Sequence, residues 1–214
     1  MKYKHIFWDW NGTLLDDIWL SAKVVSAMLQ ARNLPKISVD DYKNRFGFPL
    51  LDFYTEMGFD FNKETFEGIG DEYIASYNAQ RHLCQLHDGA YSLIEKLHKM
   101  GVGQSIVSAY QEDFLRDVVR EKGLDKFMYS IIGLDNIYAL SKVEIAKKHF
   151  LNLGIKANEL LFVGDTQHDS HAAEEIGCDC IFVSHGHSSH SRLKSLNTHK
   201  VLNTHKDLAD YLEL

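Results

Sequence analysis

His5-Ile6-Phe7-Trp8-Asp9-Trp10-Asn11-Gly12-Thr13-Leu14-Leu15 runs an apolar stretch into an aspartate and then into a Gly-Thr pair. The residues before Asp9 have the composition of a short buried strand, and Gly12 breaks it. A strand that stops there carries Asp9 to the C-terminal edge of its sheet. In open α/β sheets that edge is where ligands bind. Three roles are open to Asp9 at this point: a nucleophile, a metal ligand or an ordinary turn residue.

The rest of the chain decides what kind of sheet this is. From His87 onward, strand-like runs at 104–108, 130–133, 160–165 and 180–184 alternate with helical segments at 88–100, 112–122, 141–153 and 170–176. Gly101, Gly123, Gly154 and Gly177 close the four helices. This alternation predicts βαβ units and a parallel sheet, with helices on both faces. Residues 16–84 contain no strand candidate. Leu20, Val24, Ala27, Met28 and Ala31 recur at helical steps, and Asn33-Leu34-Pro35 stops that helix. Ser38 reads as a helix N-cap leading into 42–46. Helices over 50–57, ended by Gly58, and over 62–84 follow. The expected architecture is a doubly wound, Rossmann-like α/β core of residues 1–15 and 85–214. An all-helical insert, 16–84, leaves it beside the first strand, where an insert can act as a lid.

Composition narrows the function. The chain has 214 residues, 45% of them hydrophobic, enough for one good core and a small accessory unit. The balance of 23 basic and 30 acidic residues gives a net charge of −7, against a nucleic-acid partner. No apolar stretch reaches the length of a membrane span, so no membrane partner is expected. Cys84, Cys178 and Cys180 are sparse and odd in number. They suit reduced thiols in the cytoplasm, with Cys178 and Cys180 as core filler. His185, His187 and His190 crowd one stretch after the last strand and are expected to form a polar loop, a zinc site being the other possibility.

Reactive residues gather at the predicted strand ends: Asp9 after the first, Ser108 after the second, Asp165 with Asp169 after Phe162-Val163. Lys142 opens the helix after 130–133. All project to one edge of the sheet. A carboxylate there can attack phosphorus and form an aspartyl-phosphate. A hydroxyl and an ammonium can hold phosphate oxygens. Several carboxylates cannot sit together uncompensated, and Mg²⁺ suits an oxygen-only site completed by a substrate phosphate.

This pattern resembles the haloacid dehalogenase superfamily, in particular its phosphoglycolate-phosphatase-like members with a helical cap. Asp9-Trp10-Asn11-Gly12-Thr13 is similar to the first motif of that family, Ser108 to the second, Lys142 to the third and Gly164-Asp165-Thr166-Gln167-His168-Asp169 to the fourth. The resemblance implies a phosphatase with Asp9 as nucleophile, acting on a small phosphorylated metabolite. It implies Mg²⁺ held by Asp9, the backbone carbonyl of Asn11, Asp165 and Asp169. It also implies a phosphate bordered by Gly12, Thr13, Ser108, Ala109 and Lys142.

Position 11 departs from the family pattern. Its phosphatases usually carry Asp there, which protonates the leaving oxygen and then activates water. Asn donates hydrogen bonds but shuttles no proton at neutral pH, and acid–base catalysis is typically worth about 10²–10⁴-fold. The expectation is a slow phosphatase, one suited to good leaving groups, or one using another acid such as His168 or a cap residue. Two further readings stand beside it. One is a non-hydrolytic member that binds phosphoryl ligands or serves in interactions. The other is a phosphonate hydrolase with a Schiff-base lysine from the insert, where Lys23, Lys36, Lys43 and Lys63 lie.

Overall fold

The computed structural model describes residues 2–135, 142–196 and 199–214. Strand β1 (His5–Trp8) is followed by a two-residue strand β2 (Leu15–Asp16) and four helices: α1 (Ile18–Ala31), α2 (Val39–Arg45), α3 (Leu50–Met57) and α4 (Phe66–Asn78). Then come β3 (Gln85–Leu86), α5 (Ala90–Lys99), β4 (Gly103–Gln111), α6 (Glu112–Glu121) and β5 (Ser130–Leu134). The chain continues through α7 (Lys142–Leu153), β6 (Leu160–Gly164), α8 (Gln167–Ile176), β7 (Asp179–Val183), α9 (His190–Ser195), β8 (Lys200–Leu202) and α10 (His205–Tyr211).

Six strands form one sheet in the order β5-β4-β1-β6-β7-β8, with every neighbouring pair parallel. The chain builds outward from β1 on one side, then returns to its other side with β6. That reversal is the topological switch point of a doubly wound sheet, where a crevice opens at the strand C-termini. Asp9 and Asp165 are the first residues past β1 and β6, on the two sides of this crevice, and the Asp9 N–H donates to the Val163 carbonyl at 2.9 Å.

β1 is apolar without alternation because both its faces are buried. Ile6 and Trp8 pack into one cluster with Ile94, Ile106 and Val163, whereas Phe7 packs on the opposite face with Val107, Ala146, Phe162 and Ala172. The buried Trp8 indole donates to Gln104 Oε1 at 3.1 Å, and Gln104 passes its own amide to the Ile94 carbonyl at 3.0 Å. The central strand is thereby tied to β4 and α5 by satisfied polar groups as well as by apolar burial.

Several boundaries differ from expectation. Asp16 is strand, not helix: β2 pairs antiparallel with β3, joining the two chain passages that flank the helical segment. Strands of two residues carry no periodicity to read. The helix expected over 62–84 is shorter, capped by Thr65, whose hydroxyl accepts from the Gly68 N–H at 3.1 Å, and followed by a 3-10 turn, Arg81–Leu83. Helix α8 begins at Gln167 rather than at 170, so Asp169 sits in its first turn. The stretch holding His190 is not all loop, since His190 opens α9. Ser141, expected to start a helix, lies outside the described residues. All three cysteines are buried and free. Among the described residues no helix is long and apolar enough to cross a membrane.

Imidazoles buried in the neutral form make the fold sensitive to acid. His5, 6% exposed, lies against Ser105, whose hydroxyl is 2.9 Å from both His5 Nε2 and His149 Nε2. Burial, then the neighbouring His149, pushes His5 down to about 4. Burial likewise lowers His205, and neither ring nitrogen of His205 has a hydrogen-bond partner. An unfolded histidine titrates near 6.5, so between about pH 6.5 and 4 the unfolded chain binds more protons than the folded one. Stability from these groups is complete above that window and is lost as pH falls through it, at about 1.4 kcal/mol per pH unit for each group. Calorimetric Tm should fall steadily from about pH 7 to pH 5. His205→Phe should flatten that slope and raise Tm at pH 7, because an unpaired buried polar group costs about 1–3 kcal/mol. A pH-independent Tm in the parent would refute this.

Candidate active site

The crevice at the switch point gathers the reactive residues of several elements. Asp9, Asp165 and Asp169 each offer a carboxylate oxygen within 4.8 Å of the others, and all three are buried. Lys142, the first residue of α7, reaches across the cluster. Its ammonium donates to Asp9 Oδ1 and, at 2.5 Å, to Asp169 Oδ1. Asp169 Oδ2 turns back on the start of α8, accepting the N–H groups of Asp165 at 3.1 Å and Thr166 at 2.9 Å. An acid in the first turn of a helix suits its positive end, so α8 fixes the orientation of Asp169.

These environments separate the charges. Burial alone would lower Lys142, but Asp169 and Asp9 outweigh it and push it up to about 12, so the ammonium persists at neutral pH. Burial opposes ionisation of Asp169, yet Lys142 and the Thr166 bonds hold it below the usual carboxylate range. Asp9 and Asp165 are raised, chiefly by burial, with the neighbouring carboxylates adding to the effect. One ammonium thus faces three carboxylates. Such a deficit of positive charge in an all-oxygen donor set fits a hard divalent cation.

The backbone closes tightly on this cluster. Gly12 has φ +73°, and a Cβ there would lie 2.4 Å from Asp165 Oδ2. A Cβ at Gly186 would lie 2.1 Å from the same oxygen. Thr13 Oγ1 donates to Asp165 Oδ1 at 2.8 Å, and the His187 N–H donates to Oδ2. The Gly12 N–H is engaged by the Leu15 carbonyl at 3.0 Å and Asp17 Oδ1 at 2.8 Å. The Gly12 N–H and the Thr13 hydroxyl are therefore spent on holding the loop and Asp165.

Asn11 belongs to a second network absent from the sequence reading. Its amide donates to Asp17 Oδ2 and to the Tyr77 hydroxyl, both at 2.8 Å, and Tyr77 itself donates to Asp17 Oδ2 at 2.7 Å. His187 Nε2 lies 3.4 Å from Asp17 Oδ1, and Tyr42 Oη lies 3.0 Å from His187 Nδ1. Burial works against charge on Asp17 and His187 alike. Their mutual attraction outweighs it, lowering Asp17 and raising His187. The only local hint was the acidic pair Asp16-Asp17 and the histidine-rich stretch. His187 lies in the loop after β7, as expected, but it is 5% exposed and turned into the site rather than toward solvent. His185 instead stacks on His87 at 3.7 Å, and His190 Nδ1 is 3.1 Å from Ser184 Oγ. The three histidines face different partners.

A cavity of about 170 Å³ runs from Asp9 into the helices α2–α4. Of the residues assigned from sequence, Asp9, Asn11, Ser108, Ala109 and Lys142 line it, and Gly12, Thr13, Asp165 and Asp169 do not. Ser108 Oγ accepts the Tyr110 N–H at 3.1 Å, leaving its own proton free to donate. His168 also lines the cavity, but burial pushes it down to about 4, which leaves a neutral ring. None of Lys23, Lys36, Lys43 and Lys63 lines it. Lys23 is bound to Gln80, Lys43 to the Ser184 carbonyl and Lys63 to Asp60.

The chain is 24% identical over 216 residues to a phosphoglycolate phosphatase of Vibrio parahaemolyticus, covering 97% of this chain and 95% of that protein. It is also 24% identical over 216 residues to pyrophosphatase PpaX of Halalkalibacterium halodurans, covering 98% and 97%. A haloacid dehalogenase-like hydrolase, SP0104 of Streptococcus pneumoniae, superposes with a TM-score of 0.82 at 17% identity over 99% of both chains. The family model for haloacid dehalogenase-like hydrolases matches residues 6–183. The chain belongs to the haloacid dehalogenase-like hydrolase family.

Proposed function

We propose that this protein is a Mg²⁺-dependent phosphatase that hydrolyses a small phosphomonoester through an aspartyl-phosphate on Asp9. The observation that carries this reading is the Asp9 carboxylate at the floor of the cavity, held by Lys142 beside two further buried acids. In the first step an Asp9 oxygen bonds to phosphorus as the ester P–O bond breaks, and the leaving oxygen departs as alkoxide or phenolate and takes its proton from water. Water then attacks phosphorus, giving inorganic phosphate and restoring the carboxylate. The Ser108 hydroxyl and the Lys142 ammonium hold phosphate oxygens in both steps. Asp9, Asp165, Asp169 and the Asn11 backbone carbonyl would hold Mg²⁺, which when bound neutralises charge on the phosphate. In this reading residues 1–15 and 85–214 are the catalytic core, and residues 16–84 are a cap whose inner face selects the substrate. Phosphate-ester hydrolysis is supported by the relative named phosphoglycolate phosphatase, and hydrolysis at phosphorus more broadly by the one named pyrophosphatase.

Purified protein with Mg²⁺ should release p-nitrophenol from p-nitrophenyl phosphate. Chelation should reduce that rate by about 100-fold or more, with recovery on adding Mg²⁺. Asn11 favours a second reading, a phosphoryl-ligand binder without turnover. Mg²⁺ binding with no hydrolysis of any ester would select it and reject the phosphatase.

A further inference from the structure

The cap side of the cavity is mostly aromatic and apolar, and among the described residues it offers no free lysine or arginine for a second anionic group. Phe46, Phe48, Phe53, Tyr54, Phe66 and Ile74 face it from α3, α4 and the turn before α3. Among the described residues Lys142 is the one lysine or arginine in its lining, and that ammonium is already engaged by Asp9 and Asp169. His187 is matched by Asp17. The cations nearby are tied elsewhere: Arg81 to the Tyr110 hydroxyl and Phe114 carbonyl, Arg192 to the Lys43 and Phe46 carbonyls. A substrate carboxylate would be desolvated beside Asp9 and Asp17 with no free lysine or arginine to pair with it, which is unfavourable. An uncharged ring would meet complementary walls. The whole cavity measures about 170 Å³, with Asp9, Ser108 and Lys142 at its polar end and the aromatic side chains at the other.

Asn11 points the same way. Both of its amide N–H donors are committed, to Asp17 and Tyr77, so position 11 supplies no proton to a departing oxygen. Phenolate leaves without one far more readily than an alkoxide does.

We propose that the substrate is a phosphomonoester whose leaving part is an uncharged aromatic group, a phenol or an arylmethanol, seated against the α3–α4 wall. This assignment rests on the phosphatase reading of Asp9. The test compares benzyl phosphate with phosphoglycolate, both alkyl esters, on the Mg²⁺-loaded protein. Benzyl phosphate should win in kcat/KM by on the order of 10–100-fold, the range expected for burying one ring. Phenyl phosphate should be faster again. Leu50, half-buried on the cavity wall, provides the variant. Leu50→Lys should narrow the benzyl-to-glycolate ratio at least tenfold, and Leu50→Met should preserve it. In parallel, calorimetry should show benzylphosphonate binding at least tenfold more tightly than phosphonoacetate. If phosphoglycolate is used as well as benzyl phosphate, the aromatic assignment falls and the phosphatase stands. If neither ester turns over, the phosphatase reading falls, and the two phosphonates alone decide whether the cavity selects a ring. Equal binding of the phosphonates overturns the proposal.

Discussion

Asp9→Asn should abolish phosphate release, lowering kcat by about 10⁴-fold or more, while leaving the protein as stable as its parent. The activity loss follows from the carboxylate oxygen being the atom that bonds to phosphorus. An amide in its place is not a nucleophile, and removal of such a group typically costs on the order of 10⁴–10⁶-fold. The stability expectation follows from charge. Asp9 is buried and its ionisation is opposed by burial and by Asp165 and Asp169. Replacing it with a neutral isostere relieves repulsion among three acids, and Lys142 keeps its bond to Asp169. The net change in unfolding free energy should lie within about 1 kcal/mol, since deleting one charge from a crowded buried cluster removes a desolvation cost along with an attraction. Steady-state kinetics and a urea titration on one preparation check both halves. A variant with a tenth of parental activity would remove Asp9 from the role of nucleophile, whatever the cluster does with metal.

How much of this site was legible before folding depended on where each residue sits in its element. Asp9, Lys142, Asp165 and Asp169 all lie where a buried strand ends or a helix begins. The change from apolar to polar marks such positions in the sequence, and their order along the chain matches the order of the strands. The doubly wound core was legible for the same reason. Past His5 and Asp179 at their starts, β1 and β7, like β6, are buried on both faces and read as apolar runs. The network around Asn11 left no such mark. Asp17 precedes α1, Tyr42 lies in α2, Tyr77 in α4 and His187 in the turn after β7, and only the closed fold brings them together. No spacing rule links residues 17, 42, 77 and 187. Similarly, β2 and β3 are too short for a periodic signal, and their pairing became visible only as backbone hydrogen bonds.

That hidden network governs the second large effect. Asn11→Asp should raise turnover of alkyl phosphates by about 10²-fold, the lower range for gaining a general acid, and should change aryl phosphates by less than about tenfold, because a phenolate needs little protonation. The Asn11 amide lies 2.8 Å from Asp17 Oδ2, and Asp17 is held ionised by His187 despite its burial. Two carboxylates at that separation do not both ionise readily, so the new carboxyl at position 11 should hold its proton near neutrality, and a departing alkoxide, a far stronger base than Asp17, can take that proton where it could take none from the amide. A carboxyl kept protonated beside a departing oxygen is a general acid. The same geometry sets a stability cost of opposite pH sense to that of the buried histidines. A carboxyl whose folded pKa is raised binds its proton more tightly in the folded state than in the unfolded one. Its contribution is therefore complete below about pH 4 and is lost as pH rises through the raised value. Tm of the variant relative to the parent should thus fall progressively between about pH 4 and 8, and a pH-independent difference would show that position 11 does not feel Asp17. Kinetically, the ratio of variant to parent rates should be larger for benzyl than for phenyl phosphate. If both esters gain equally, or neither gains, proton delivery at position 11 is not what limits the parent. The imidazole of His187, facing the same cavity, then becomes the donor to test.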